Sequence, residues 1–290
     1  MPDFSLALRQ TDLIASIHCM QTPGFNANRI FSNEKKRFIA ENMLERYTGS
    51  DRKLFQKQIL LTNFEHYMKQ FRTITKCKAA TRGSAMSAIH SPKHGVSLVN
   101  FNVGAPTAAL IVEVLATIDP KAVLLLGMCG GLHRSLKIGD FILPMAAIRG
   151  EGVTWHFMPP EVPSLPTFKV QKYVSEILVK ENIEYRTGVI HTTDYRFWEF
   201  SPGFKEKLYS QRVIGIEMET AAVFTAGFAS KVANGALLLV SDLPLQEDGI
   251  KTKASAKKVF QEFTDLHLNL GIKAMSGIAE EGEKIRHYQW

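Results

Sequence analysis

The 290-residue chain carries 35 Lys and Arg against 28 Asp and Glu, a net charge of +7, and 45% of its residues are hydrophobic. This length and composition allow one large buried core and argue against disorder over most of the chain. The excess of dispersed basic residues favours an anionic partner, without choosing between nucleic acid, a membrane surface and a phosphorylated small molecule.

Patterns that the sequence lacks narrow this choice. It has no long apolar run and no signal-peptide pattern, so we expect a cytoplasmic protein without a membrane partner. Cys19, Cys77 and Cys129 are widely spaced, which favours reduced thiols over a disulfide framework or a thiolate zinc site. The nine histidines show no metal-ligand spacing, and no RNA-binding motif accompanies the basic residues. We therefore expect no metal, no cofactor and no nucleic-acid partner.

The predicted elements alternate between helix and strand after an irregular extension of residues 1–33, within one domain of residues 34–290. A first helix is predicted from Asn33 to Thr48, and an apolar strand at 59–64 precedes a second helix. Further strands are predicted at 95–101, 121–126, 140–148, 186–192 and 236–240, and further helices at 107–118, 168–182, 219–232 and 254–278. This alternation predicts a three-layer α/β/α fold around a mixed, largely parallel sheet.

Candidate site residues follow three of these strands, because ligands of open α/β sheets gather beyond the carboxyl ends of the strands. They are Asn102–Gly104, Gly127–Gly131 and the pair Ser241-Asp242. The glycines permit close approach of a ligand to the backbone, although a tight turn explains them equally well. Their spacing matches neither a dinucleotide-binding fingerprint nor a P-loop, which disfavours a nicotinamide-dependent or ATP-dependent enzyme.

Asp242 ends the most hydrophobic strand, where partial loss of solvent would raise its pKa toward the range of a general acid. Lys251 is a candidate for tuning that acid. The alternative is that Asp242 only caps the loop before Pro244.

Two more carboxylates, Glu217 and Glu219, precede an Ala-rich helix. One can stabilise the helix N-terminus by about 0.3–1 kcal/mol. The other, pointing into a cleft, could bind the vicinal hydroxyls of a sugar.

These stretches, taken in order, resemble the nucleoside phosphorylase and nucleosidase superfamily: Gly127-Met-Cys-Gly-Gly131, Ile216-Glu-Met-Glu-Thr220 and Leu239-Val-Ser-Asp-Leu-Pro244. A narrower resemblance, to the AMP nucleosidase family, rests on Arg46–Gly49, Leu60–Phe64, Ile138–Asp140, Ile148–Glu151, Pro159–Pro163 and Thr192–Glu199. It covers about residues 34 to 278. It implies a nucleoside phosphorylase-like catalytic domain that hydrolyses AMP to adenine and ribose 5-phosphate.

The resemblance also implies roles for individual residues. Asp242 matches the acid that protonates the leaving purine, and Glu219 matches the carboxylate that binds the ribose 2′- and 3′-hydroxyls. Met218 would pack against the sugar. The base pocket would contain His191 as the stacking residue, together with Cys129 and Gly130, although a histidine at the end of a strand can equally be structural.

The sequence departs from the phosphorylases at two positions. Those enzymes bind orthophosphate with an arginine and a serine, where this chain has Leu125 and Met128. The departure favours water as the nucleophile, with Asn63, Glu65 and Asn102 as candidates for positioning it. No residue is assigned as a general base.

A 5′-phosphate requires cationic or amide donors, and arginine offers the best geometric match. Arg46, Arg149 and Arg196 are the candidates, although each could instead form a surface salt bridge. The implied partners are a small-molecule purine nucleotide and further copies of the chain, with neighbouring subunits of a homo-hexamer completing the 5′ side. The longer enzymes of the family have an additional N-terminal domain associated with ATP and phosphate, and we do not expect regulation by ATP in this chain.

Two other classes of function stay open at this point. One is a different enzyme of the same fold, either a phosphorolytic purine nucleoside phosphorylase or a nucleosidase for 5′-modified adenosines. The other is a catalytically silent protein that binds nucleotides or RNA, against which the joint presence of Asp242 and Glu219 argues.

Overall fold

The computed structural model describes residues 33–280. Residues 39–280 belong to one compact unit, and residues 33–38, which begin the first helix, fall in another. Apart from Asn33, the predicted N-terminal extension lies outside the described residues. The helices are α1 (Asn33–Thr48), α2 (Glu65–Thr75), α3 (Ala105–Leu115), α4 (Phe168–Lys180), α5 (Pro202–Gln211), α6 (Thr220–Ala229), α7 (Lys253–Glu262) and α8 (Thr264–Glu280).

Nine strands form one mixed sheet in the described part of the chain. They are β1 (Gln58–Thr62), β2 (Thr81–Arg82), β3 (Ser87–Ser91), β4 (Val96–Asn100), β5 (Ala122–Gly131), β6 (Phe141–Gly150), β7 (Tyr185–Thr193), β8 (Gly215–Glu217) and β9 (Asn234–Asp242). Their order is β2-β3-β4-β1-β5-β8-β7-β6-β9, and β9 also pairs with β5. This last pairing closes β5, β8, β7, β6 and β9 into a ring, with the other four strands as an open extension.

Helices cover both faces of the sheet, as the three-layer prediction requires. One apolar cluster joins the sheet to α3 and α6 through residues such as Val112 and Phe224. The other joins it to α2, α4 and α8 through residues such as Phe71 and Met275. The central strands β1, β5 and β9 are almost completely buried, because they have helices on both sides.

The predicted α/β class and mixed sheet are confirmed. The strand pairings show which neighbours are parallel and which are antiparallel. Five pairs are parallel, namely β1–β4, β1–β5, β5–β9, β6–β7 and β7–β8. The antiparallel pairs are β2–β3, β3–β4, β5–β8 and β6–β9. Strands β2, β3 and β8 escaped the sequence prediction. β2 and β8 have only two and three residues, and the five residues of β3 include two serines and a histidine instead of an apolar run.

Three predicted boundaries were wrong. The glycines after Leu126 do not form an exit turn, since β5 continues to Gly131 and pairs there with β8 and β9. Helix α3 begins at Ala105 rather than Thr107, and the Thr107 hydroxyl donates to the carbonyl of Gly104. The predicted helix 254–278 is two helices that meet at Phe263.

Candidate active site

The candidate site is a cavity of about 200 Å³ at the ends of strands β1, β5, β7, β8 and β9. The segment that follows β7, up to Glu199, forms a further part of its wall, and Lys251 comes from the chain before α7. The lining residues are Asn63, Phe64, Val103, Met128, Cys129, Gly130, Thr193, Tyr195, Arg196, Trp198, Glu199, Ile216, Glu217, Met218, Glu219, Ser241, Asp242 and Lys251.

Asp242 is the last residue of β9 and lines the cavity. Burial raises the pKa of its carboxyl group, while the Ser241 hydroxyl, which donates to Oδ1 over 2.6 Å, works in the opposite direction. The positive charges of Lys251 and Arg196 also lower the pKa, but burial is the largest influence. The side chain therefore holds its proton to a higher pH than an exposed aspartate does.

Lys251 reaches Asp242 through a serine. Its ammonium group donates to Ser241 Oγ over 3.0 Å, lies 3.7 Å from the sulfur of Met128, and sits 5.8 Å from the centre of the Phe64 ring. Burial lowers the pKa of Lys251, and the negative charge of Asp242 opposes that shift. The lysine thus acts on the acid as a nearby positive charge linked to it by a hydrogen-bonded hydroxyl.

Gly130 brings the backbone of β5 close to the acid. The pairing of β5 with β9 shifts between Cys129 and Gly130, so that Gly130 faces Asp242. A Cβ at Gly130 would lie 2.9 Å from Pro244 Cγ and 3.4 Å from Asp242 Oδ2. The glycine is therefore required for the close contact between the two strand ends.

Glu217 fixes the turn between β8 and α6. Its Oε2 accepts hydrogen bonds from the amides of Glu219 and Thr220, at 2.8 and 2.7 Å, and its Oε1 accepts one from Thr192 Oγ1 at 2.5 Å. The carboxylate therefore satisfies free N–H groups at the start of α6, which is the helix-capping role considered for one member of the pair.

Glu219, the other member of the pair, lines the cavity and leaves the capping of α6 to Glu217. Its Oε1 accepts from the amide of Gly104 over 2.7 Å, and the Asn63 side chain is a further hydrogen-bond partner. Burial, reinforced by the charge of Glu217, raises the pKa of Glu219 to about 8. Met218 lies beside it in the cavity wall.

Arg196 and Glu199 form an ion pair on the segment after β7. The guanidinium donates to Glu199 Oε1 over 2.7 Å, and both residues line the cavity. Half of the Arg196 side chain is exposed, whereas that of Glu199 is 3% exposed. Both charges act on the pKa of Asp242: that of Arg196 lowers it and that of Glu199 raises it.

Three of the residues predicted to bind the base or the 5′-phosphate lie outside the cavity lining. His191 is buried between its hydrogen-bond partner Gln211 and the Phe204 ring, so its position does not support a base-stacking role. Arg46 is exposed on α1, next to Tyr47. Arg149 uses its guanidinium to donate to Thr154 Oγ1 and to loop carbonyls, those of Thr154, Met158, Pro159 and Val162.

The water-positioning candidates are also separated by the structure. Asn63 lines the cavity. Glu65 is exposed and accepts from the Asn100 side chain, and Asn102 donates to the carbonyl of Ala85. Neither Glu65 nor Asn102 belongs to the lining.

Sequence reasoning did not assign several lining residues that matter for the electrostatics. Two features of the sequence could have identified them. Ser241 is adjacent to Asp242, and Glu199 ends the stretch Thr192–Glu199 that resembles the AMP nucleosidase family. The described residues contain no cluster of three or more His, Cys, Asp or Glu that could hold a metal ion. Within residues 33–280, no helix has the length and apolarity to cross a membrane.

Asp242 and Glu219 line one cavity at the strand ends of a mixed sheet, which is where enzymes of the α/β class bind their ligands. The family model of the phosphorylase superfamily matches residues 57–275, and the chain belongs to that superfamily.

Relatives with established names narrow the family further. The chain is similar to AMP nucleosidase of Escherichia coli K12, with 30% identity over 83% of this chain and 59% of that enzyme. It is also similar to the crystal structure of AMP nucleosidase from Bacteroides thetaiotaomicron, with 40% identity, a TM-score of 0.76, and coverage of 85% of this chain and 99% of that one. Within the superfamily, the chain belongs with the AMP nucleosidases.

The fold extends to more distant proteins. A purine nucleoside phosphorylase from Toxoplasma gondii shares 20% identity and a TM-score of 0.69, with coverage of 80% of this chain and 95% of that one. The chain spans about three fifths of the length of the E. coli enzyme.

Proposed function

We propose that this protein hydrolyses the N-glycosidic bond of AMP to adenine and ribose 5-phosphate. The observation that carries the proposal is that Asp242 and Glu219 line one cavity, each with a carboxyl pKa raised by burial. The AMP nucleosidase relatives support the choice of AMP as substrate.

The two carboxyl groups suit the two halves of the reaction. As the bond from C1′ to N9 breaks, positive charge builds on the ribose and negative charge on the purine. Protonated Asp242 donates its proton to N7, which neutralises the leaving base. Glu219 accepts hydrogen bonds from the 2′- and 3′-hydroxyls, and the positive charge that develops on the ribose lowers its pKa. The ionised carboxylate then stabilises the ribose cation. A water oxygen then bonds to C1′, and the proton that it loses restores the acid through solvent.

Water is favoured over orthophosphate as the nucleophile by the residues around β5. Leu125 is buried in the apolar core, and Met128 offers only a thioether to the cavity, so neither provides a strong donor to phosphate. Asn63 Oδ1 is buried and has no hydrogen-bond partner among the described residues. We assign it as acceptor for a hydrogen of the attacking water.

A single chain provides few candidate ligands for the 5′-phosphate of the substrate. Among the described residues of the lining, the cations are Arg196 and Lys251, and both act on the pKa of Asp242 at the base end. Arg149 is occupied by its loop, and Arg46 is exposed outside the cavity. We therefore infer that a neighbouring copy in a cytoplasmic homo-oligomer, a hexamer, completes the 5′ end.

The experiment is a product assay with AMP, adenosine and methylthioadenosine, each with and without phosphate. We expect AMP to be cleaved best and to yield free adenine and ribose 5-phosphate without a need for phosphate. Better cleavage of adenosine would contradict the substrate, and phosphate-dependent formation of a ribose 1-phosphate would contradict hydrolysis. Salt-sensitive RNA binding without adenine release would favour the non-enzymatic alternative.

A single variant tests the acid. Asp242→Asn keeps the shape of the side chain but cannot donate the proton, so we expect turnover to fall by about 10²-fold or more while folding and AMP binding persist. Turnover by single-cycle assay and AMP affinity by calorimetry measure the two effects. Unchanged turnover would remove Asp242 from this role.

A further inference from the structure

Glu199 carries a buried carboxylate oxygen for which the fold provides no donor. Its Oε1 is paired with Arg196, but Oε2 is buried and has no hydrogen-bond partner among the described residues. The residue is 4% exposed and lines the same cavity as Asp242. A buried acceptor without a donor costs about 1–3 kcal/mol, and more when it is charged, so it calls for a functional explanation.

The turn that holds Glu199 is firmly anchored. Trp198 is buried and packs on the Phe204 ring, with 6.0 Å between ring centres, in a cluster with Leu208 and Ile216. Directly after the turn, Ser201 caps helix α5 by accepting from the amide of Phe204. The backbone on either side of Glu199 is therefore held in place, and the Glu199 side chain is 3% exposed.

The position of Glu199 relative to the acid indicates which part of the substrate it meets. Glu199 and Asp242 line the same cavity, and the charge of Glu199 acts on Asp242, which the proposed mechanism sets beside N7 of the purine. The substituent at C6 lies next to N7 on the same edge of the base. An amino group at C6 donates hydrogen bonds, whereas a carbonyl oxygen there would meet the carboxylate as a second acceptor.

We propose that Glu199 Oε2 accepts a hydrogen bond from the 6-amino group of the base and thereby selects 6-aminopurines over 6-oxopurines. The inference rests on the proposed function, because it takes Asp242 to face N7. Arg196 positions the carboxylate by holding Oε1, so that Oε2 is left for the base. A role as counterion of Arg196 alone accounts for Oε1 and leaves Oε2 unexplained.

The test compares AMP, IMP and the purine ribonucleotide without a 6-substituent as substrates of the wild-type protein and the Glu199→Gln variant. We expect the wild type to favour AMP over IMP by about 10²-fold in kcat/KM, with the unsubstituted purine between them. The amide of the variant can turn its N–H to a 6-oxo group, so the AMP to IMP ratio should fall at least 10-fold, with IMP cleavage unchanged or raised.

Asp194→Asn is the matched control, because Asp194 is an exposed carboxylate of the same segment and is not part of the cavity lining. The control should keep the wild-type ratio. An equal loss of AMP and IMP cleavage in Glu199→Gln would overturn the inference, since a residue that only pairs with Arg196 would affect both substrates alike.

A binding measurement separates this inference from the proposed reaction. Calorimetry with free adenine and free hypoxanthine needs no turnover, and we expect adenine to bind at least 10-fold more tightly to the wild type and nearly equally with hypoxanthine to Glu199→Gln. That result in a protein that fails to cleave AMP would leave base selection standing while the hydrolysis proposal fell. Equal wild-type affinity for the two bases would overturn base selection whatever the activity.

Discussion

The protonation of Asp242 depends on a balance between burial and two nearby cations. Burial raises the pKa of the carboxyl group, and Lys251 opposes it from its position on Ser241. Because the proposed acid works only while it is protonated, anything that weakens the cations extends its working range to higher pH.

We therefore expect Lys251→Met to move the descending limb of the kcat profile to higher pH. Loss of the positive charge disfavours the carboxylate and raises the pKa of Asp242 further. Profiles of kcat against pH for the wild type and the variant measure the shift, and Lys253→Met, at an exposed lysine two residues along, is the control. A limb that moves to lower pH would exclude this tuning role.

Glu219 links the site to the stability of the fold. In the folded chain its pKa is about 8, against an ordinary 4.5, so between these values the folded protein keeps a proton that the unfolded chain has lost. The free energy of unfolding therefore falls as pH rises through this window. The buried glutamate therefore lowers the free energy of unfolding at the pH at which its ionised form is proposed to bind the ribose.

Glu219→Gln should remove that cost. We expect the variant to be more stable than the wild type above pH 8, by on the order of 4 kcal/mol, and to show a much smaller difference at pH 5. Urea unfolding at pH 5 and pH 8.5 measures both values. Glu206→Gln, at an exposed glutamate of α5, should give no such pH-dependent gain.

The sequence was sufficient to place a residue in the cavity where the end of a strand alone determines its position. Asp242 and Glu219 follow directly from the ends of strands, and both line the cavity. His191 could not be located in this way because successive side chains of a strand point to opposite faces. On β7, Thr192 reaches Glu217 at the site, so its neighbour His191 faces Gln211 instead.

At the scale of helices and strands, the ends of strands were harder to predict than their central residues. Apolar runs identified β1, β5 and β9, but the glycines at the end of β5 carry no hydrophobic signal, and a tight turn explained them as well as a ligand-binding segment. The break between α7 and α8 likewise depends on a tertiary contact, because the Phe263 ring at the break packs against Gly139. The φ angle of Gly139 is +98°, and a Cβ there would lie 2.5 Å from the ring. Helical periodicity across residues 254–278 cannot report such a contact.

The contact between the ends of β5 and β9 predicts the effect of a single methyl group. Gly130→Ala would press on Pro244 and approach Asp242, so we expect kcat to fall by about 10-fold to 10²-fold through displacement of the acid, with the fold retained. Steady-state kinetics and circular dichroism together measure this. Gly203→Ala, where a Cβ meets open space, should leave kcat unchanged.

At the scale of the whole molecule, the ring formed by β5, β8, β7, β6 and β9 explains why residues far apart in sequence share one cavity. The pairing of β8 with β5 and β7 brings Glu217 and Glu219 toward Cys129 and Thr193, and β9 adds Asp242 beside them. Local sequence patterns identified the individual strands, but no single segment encodes the closure of the ring. It was the order of motifs shared with a family that tied these segments to one site.

The segment after β7 and helix α5 carry exposed aromatic side chains that a second copy could cover. Phe197 and Phe200 are 65% and 73% exposed on the segment that carries Glu199, and Tyr209 is 88% exposed on α5. Exposed aromatic groups of this kind are typical of protein interfaces. We predict that they are buried in the proposed homo-oligomer.

Light scattering should then report about 195 kDa for six copies of the 32.5 kDa chain. The double variant Phe197→Ser with Phe200→Ser should reduce that mass and raise KM for AMP at least 10-fold, because the exposed segment loses its packing and the 5′ end loses its neighbour. Val179→Ser, at a valine 67% exposed on α4, is the control and should change neither mass nor KM. A fully active wild-type monomer would mean instead that one chain supplies every ligand of the phosphate, and would return that role to Arg196, the one predicted arginine that lines the cavity.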